Sequence, residues 1–155
     1  LGTYALPESQ LDRFLMRISL GYPDRVAERS LLTGTDTRSK VEALPSLLTA
    51  AELQSLQAQV QQVHATDALL NYVQDIMAAT RSGKWFVQGL SPRAGIALLR
   101  VAKAQALLSG RDYVAPDDVQ AILPQTIAHR LTPVSGAGRN SMAQVQAMMQ
   151  TIALA

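Results

Sequence analysis

Gly89-Leu90-Ser91-Pro92-Arg93-Ala94 opens the segment that decides the fold. Ser91 offers the hydroxyl of a good N-cap, and Pro92 has the fixed φ of a first helical residue. From there Ile96, Leu98, Leu99, Val101, Ala102, Leu107 and Leu108 describe a helix that is apolar on most sides and is stopped by Gly110. Such a helix has to be buried, so it is predicted to be the central helix of a bundle. Arg93 is then electrostatically out of place. It sets a permanent cation at the helix end that already carries partial positive charge, where Asp or Glu is preferred by roughly 0.3–1 kcal/mol. Beside free backbone N–H groups, such a cation suits a site that meets an anion such as phosphate. A surface arginine that merely falls there is the alternative reading.

The flanking sequence carries the same helical signal. Thr49-Ala50-Ala51-Glu52 reads as a capping box, followed by Leu53, Leu56, Val60 and Val63 at helical spacing. Thr66 caps a helix with Leu69, Tyr72, Val73, Ile76 and Met77 on one face, closed by Arg81-Ser82-Gly83-Lys84. Pro116 begins another, with Asp117 and Asp118 favourable to its dipole, and Pro124 is predicted to bend or break it. Residues 132–139 read as a loop. Ser141-Met142-Ala143-Gln144 reads as a second capping box, leading a last helix with Val145, Met148, Met149 and Ile152 on one face.

Toward the N-terminus the pattern changes. Pro7 starts a short helical turn over residues 7–13. Phe14-Leu15-Met16-Arg17-Ile18-Ser19-Leu20 is predicted to be a strand with at least one buried face, ended by Gly21-Tyr22-Pro23. Asp24 caps a helix to about Leu32, and residues 33–40 read as a polar loop. One strand followed by helices makes sense as the last strand of a parallel sheet whose other strands lie upstream. The chain also opens on Leu1 as if mid-fold, so a piece of a longer protein is expected.

Composition removes several classes of function. There is no cysteine, which excludes disulfides and thiolate metal sites. No apolar run approaches the ~20 residues that span a bilayer. The net charge of +2 is unevenly spread: residues 1–40 hold six basic and five acidic residues, 41–80 no Lys or Arg and four acids, 81–155 eight basic and three acidic. The late basic residues are scattered and form no polybasic arm, so nucleic acid is not an expected partner. His64 and His129 lack ligand spacing and read as structural. No carboxylate pair is placed for acid–base work, and Ser135-Gly136-Ala137-Gly138 is too weak to be a phosphate loop. Gly-x-x-x-x-Gly-Lys-Ser/Thr is absent, so the chain alone is expected to hydrolyse nothing.

Two segments carry a resemblance. One is Gly2-Thr3-Tyr4-Ala5-Leu6-Pro7-Glu8-Ser9-Gln10-Leu11-Asp12-Arg13-Phe14-Leu15-Met16, continuing to Gly21-Tyr22-Pro23-Asp24. The other combines Ser91-Pro92-Arg93-Ala94, Ala97-Leu98-Leu99-Arg100, Gly110-Arg111-Asp112-Tyr113-Val114-Ala115-Pro116-Asp117-Asp118-Val119 and His129-Arg130-Leu131. Together they resemble the C-terminal part of the MoxR family of AAA+ ATPases over about residues 2–131. The resemblance implies a mainly α chain. Residues 1–22 would be the remnant of the AAA+ α/β core, with its short helix and last strand, and residues 23–155 the helical lid.

It further implies ATP with Mg2+ as cofactors, bound mainly by the absent upstream core. Arg13 would be the catalytic arginine finger, reaching a neighbouring subunit's γ-phosphate; an ion pair with Asp12 or Glu8 is the alternative. Arg93 would be the second sensor, contacting nucleotide phosphates. Tyr22 and Pro23 lie where AAA+ proteins often hold adenine, and a plain hinge turn explains them equally. Ala115 departs from the family pattern, where Ser or Thr caps the next helix; Asp117 and Asp118 are expected to compensate. The intact protein would resemble a cytoplasmic, ring-forming, usually hexameric chaperone that matures or activates a client protein complex, often with a von Willebrand factor A domain partner. A non-catalytic helical interaction module is the rival from another class.

Overall fold

The computed structural model describes residues 6–34, 37–134 and 141–152. Its helices are α1 (Glu8–Leu11), α2 (Arg25–Leu32), α3 (Thr37–Glu42), α4 (Ala50–Gln62), α5 (Asp67–Arg81), α6 (Pro92–Leu108), α7 (Pro116–Ile127) and α8 (Ser141–Met149), with a 3-10 turn at Ala128–Arg130. The chain divides into two compact units. One takes in residues up to Arg17 and from Gln57 onward, the other Ile18–Leu56.

The larger unit holds the core. Ile76 of α5, Phe86, Leu98 of α6, Leu123 and Ile127 of α7, and Val145 and Met148 of α8 are all at most 1% exposed. Each such side chain contributes roughly 1.5–3 kcal/mol by leaving water. α6 packs against α7, and Ala94, Ala102 and Ala106 of α6 are all fully buried. It is the central helix expected of it, but less completely buried than its composition suggests: Ile96 is 71% exposed and Leu108 86%. Trp85 packs against the core as an anchor, with Lys84 Nζ 4.8 Å from its ring centroid.

Most helix starts follow local chemistry. Thr66 Oγ1 accepts from Leu69 N–H at 3.2 Å, and Ser91 Oγ from Ala94 N–H at 3.2 Å. Gly110, at φ 75°, ends α6 in the left-handed region that glycine tolerates best. α7 has Ala115 at its N-cap, with no side-chain acceptor. Asp118 compensates by accepting the Ala115 N–H at 2.8 Å while Arg111 forks onto its carboxylate, Nη1 to Oδ2 at 2.6 Å. The Arg111 hydrogen bonds hold the Asp118 carboxyl below its ordinary range.

Three expectations are corrected in this unit and its N-terminal arm. Pro124 does not end α7, which continues to Ile127. A proline removes one N–H, but the fully buried Val119, Leu123 and Ile127 keep the helix packed across the gap. Ser141 is the first helical residue of α8 rather than its cap, and its hydroxyl donates to the Leu131 carbonyl at 2.7 Å. Residues 14–20 form no strand. Phe14 is 55% exposed and Leu20 94%. A strand needs a neighbour for its N–H and C=O groups, and the described residues supply only isolated bridges elsewhere. Most of the loop read at residues 132–139 lies outside the described residues, as does Ser135-Gly136-Ala137-Gly138.

The unit Ile18–Leu56 is built on local capping. Asp24 accepts the Ala27 N–H at 2.7 Å to start α2, and Thr49 and Glu52 form the reciprocal capping box of α4, at 2.7 Å and 3.2 Å. Residues 33–40 are not wholly loop, because α3 begins at Thr37. No residue of α2 is buried.

The junction between α5 and α6 is unusually close. Arg81 Nε and Nη2 donate to the Leu90 carbonyl at 2.9 and 2.8 Å, while the Leu90 N–H donates to buried Thr80 Oγ1 at 3.1 Å. Gly89 makes room for this: a Cβ there would lie 2.7 Å from Arg81 Cα and closer still to its Cγ. We expect Gly89→Ala to destabilise the fold by about 1–3 kcal/mol. The check is a lower urea midpoint with an unchanged m-value.

Candidate functional site

The site grows from the end of α7. The last residue of the 3-10 turn, Arg130, has a side chain only 3% exposed. A guanidinium offers five donors and no acceptor, and here they are directed into one segment. Nη1 donates to the Asp12 carbonyl at 2.6 Å and to Asp12 Oδ1 at 2.8 Å. Nη2 donates to the Phe14 carbonyl at 2.6 Å, and Nε turns back to Thr126 O at 3.1 Å. His129 donates from Nε2 to the same Phe14 carbonyl at 3.1 Å, and Arg17 N–H reaches Gln125 O at 2.8 Å. Asp12 in turn accepts from the Ser91 hydroxyl at 3.1–3.2 Å. The N-cap of α6 therefore sees an internal carboxylate.

Arg13 and Arg93 flank this junction. Arg13 adjoins Asp12, and Arg93 lies two residues beyond Ser91. Both are exposed, and among the described residues neither guanidinium has a hydrogen-bond or ion-pair partner. The ion pair considered for Arg13 does not form: Asp12 is taken by Arg130, and Glu8 accepts from Thr132 Oγ1 at 3.3 Å. With Asp12 and Arg130 neutralising each other, Arg13, Arg93 and the likewise exposed Arg17 remain uncompensated among the described residues. That arrangement suits a polyanion such as a nucleotide phosphate chain.

Tyr22 and Pro23 belong to the other unit. Tyr22 is 99% exposed, and Pro23 precedes the α2 cap Asp24. Their surroundings fit a hinge turn and an adenine contact equally. His64 is structural, its backbone joined to Asp112 O and Val114 N–H at 2.7 and 2.9 Å. Among the described residues no cluster of acids and histidines could hold a metal, and no helix is long and apolar enough to cross a membrane. The residue that the sequence reading left without a role is Arg130. Its signal was weak: a cation in a last turn, where it meets carbonyls.

Comparison with known proteins identifies the family. Residues 78–152 match the family model of the AAA lid domain. Chaperone MoxR1 of Mycobacterium tuberculosis is 33% identical, over 99% of this chain and 43% of its own length. Protein MoxR of Paracoccus denitrificans is 36% identical, over 83% of this chain and 44% of its own, and the uncharacterised YeaC of Bacillus subtilis 42% identical, over 84% and 41%. A solved structure from Cytophaga hutchinsonii, described as a candidate ATPase, superposes with a TM-score of 0.85 at 25% identity, covering 100% of this chain and 51% of its own. The fold is that of an AAA+ lid. The chain belongs to the MoxR-type AAA+ ATPases, and it spans about two fifths of the length of these curated relatives.

His129 supplies a pH test of the junction. Burial, with help from Arg130 and Arg17, pushes its pKa below the ordinary value near 6.5. The unfolded chain therefore takes up the proton first as pH falls. The stability contribution is complete above about pH 6.5 and is lost as pH drops from there through the lower folded-state pKa. We expect Tm to decline between about pH 7 and 5, and His129→Gln to flatten that decline. Thermal unfolding across the range is the measurement; an unchanged slope contradicts the assignment.

Proposed function

We propose that this chain is the C-terminal part of a MoxR-type, ATP-driven chaperone, with Arg13 as its arginine finger and Arg93 as its second sensor. Residues 1–22 would close the α/β core and residues 23–155 form the lid. The observation that carries the reading is the pair of exposed, unpartnered arginines on either side of the Asp12–Ser91 hydrogen bond. Relatives named as MoxR proteins support it.

ATP supplies the phosphoryl group, and Mg2+ would be held by residues outside this chain. Arg13 presents a fixed positive charge to the phosphoryl oxygens of a neighbouring subunit, an effect worth ~10³–10⁵ in rate elsewhere. Arg93 reaches phosphate from the first turn of α6, so nucleotide state is felt by the lid. Tyr22 and Pro23 would edge the adenine site. The working form would be a cytoplasmic ring, a hexamer in our reading. It would act on a client protein complex, with a von Willebrand factor A domain protein as partner.

In the full-length protein, Arg13→Ala should cut ATP turnover by about 10³-fold or more while leaving nucleotide affinity nearly unchanged. Mixing it with subunits mutated in their own nucleotide loop should restore part of the activity, because the finger acts across an interface. A normal rate for Arg13→Ala would overturn the finger and favour a helical interaction module. The 155-residue chain alone should show no ATP hydrolysis in a phosphate-release assay.

A further inference from the structure

We propose that Arg130 is a positioning residue for Arg13, locking it to Arg93 so that finger and second sensor move as one piece. The inference rests on the finger and sensor reading above. It goes beyond it by assigning the residue that holds both in register.

The argument starts from where the Arg130 donors go. A buried guanidinium needs partners, and one carboxylate fork would satisfy most of its charge. Arg130 instead divides its two terminal nitrogens. Nη1 takes the carbonyl just before Arg13, that of Asp12, at 2.6 Å, and Nη2 the carbonyl just after it, that of Phe14, at 2.6 Å. His129 adds a second donor to Phe14 O, and Arg17 N–H is tied to Gln125 O. The backbone on both sides of Arg13 is thus pinned to the end of α7, although residues 14–17 have no regular structure of their own. The Arg13 side chain makes no contact of this kind and stays exposed. A pinned backbone under a free cationic side chain is what an aimed guanidinium requires.

The second half of the link is Asp12. Its carboxylate accepts from Arg130 and from the Ser91 hydroxyl, which itself caps α6 through Ala94 N–H. Two residues further on is Arg93. The continuous path from Arg93 through Ser91, Asp12 and Arg130 to Arg13 contains only hydrogen bonds, one ion pair and short stretches of backbone. A shift of α6 is therefore handed to the finger.

The test uses the full-length protein. For a readout independent of hydrolysis, spin labels are placed at Arg13→Cys and Arg93→Cys in a background freed of other cysteines. This chain contributes none, and labelled subunits are diluted with unlabelled ones. We expect one narrow distance distribution, unchanged by nucleotide, that broadens when Asp12→Asn or Arg130→Lys is added. A distribution that is broad from the start, or equally narrow in those variants, overturns the lock. In unlabelled protein the same two variants should lower kcat by about tenfold or more with KM for ATP held within about twofold. The more exposed Asp12→Asn guards against a buried-site variant that fails to fold, and thermal unfolding identifies any that do. If Arg13→Ala is slow while both variants keep the normal kcat, the positioning role is wrong and the finger stands. If Arg13→Ala itself is normal, the finger falls and the positioning role with it.

Discussion

The buried charge of Arg130 is the constraint around which the larger unit is organised. Taking a guanidinium out of water costs several kcal/mol unless hydrogen bonds replace the lost hydration. Thr126 supplies one carbonyl from within α7, but the other acceptors come from residues 12, 14 and 15, more than a hundred positions away. Without the N-terminal arm, Arg130 would be a buried cation with a single carbonyl. Without Arg130, the arm would lose its most buried polar tie and keep those from His129, Gln125, Ser91 and Thr132, and Phe14 and Leu15 bury little surface of their own. The arm and the helical core therefore depend on each other through Arg130 and the hydrogen bonds around it.

Local chemistry made most of the helical unit legible in advance. Thr66, Ser91 and Gly110 act within three or four residues, and their effect can be read from the residues themselves. The misread elements depend on what is not local. Phe14–Leu20 has a strand's composition, but strandness is a property of pairs, and no partner strand lies among the described residues. Ser141 has a cap's chemistry, but the distant Leu131 carbonyl takes its hydroxyl as a donor. At Pro124 the local rule was right about the lost hydrogen bond, but no break follows, because fully buried neighbours on both sides hold α7 together.

The candidate site divides along the same line. Arg93 stood out because an N-terminal cation opposes a helix dipole, which is visible in sequence. Arg13 emerged only through resemblance. Arg130 was quoted within that resemblance and given no role, because most of its partners are backbone carbonyls, and a carbonyl carries no residue identity to recognise. The anion expected at the start of α6 also proved to be partly internal. Asp12 accepts from the hydroxyl of the N-cap Ser91, so a carboxylate of this chain already lies beside the helix end.

That internal carboxylate sharpens the functional argument. If Asp12 were free, it would be the natural partner of Arg13, and that cation would be neutralised by its own neighbour. Pairing Asp12 with Arg130 removes that option while keeping the acid in place as a structural link. The arginines at positions 13, 17 and 93 are then left exposed around the Asp12–Arg130 pair, and their like charges receive no compensation from it. The one carboxylate goes to the buried guanidinium, where an unpaired charge would be most costly, and the exposed cations are left to solvent. On the finger and sensor reading proposed above, that leaves Arg13 and Arg93 free for phosphate oxygens supplied from outside.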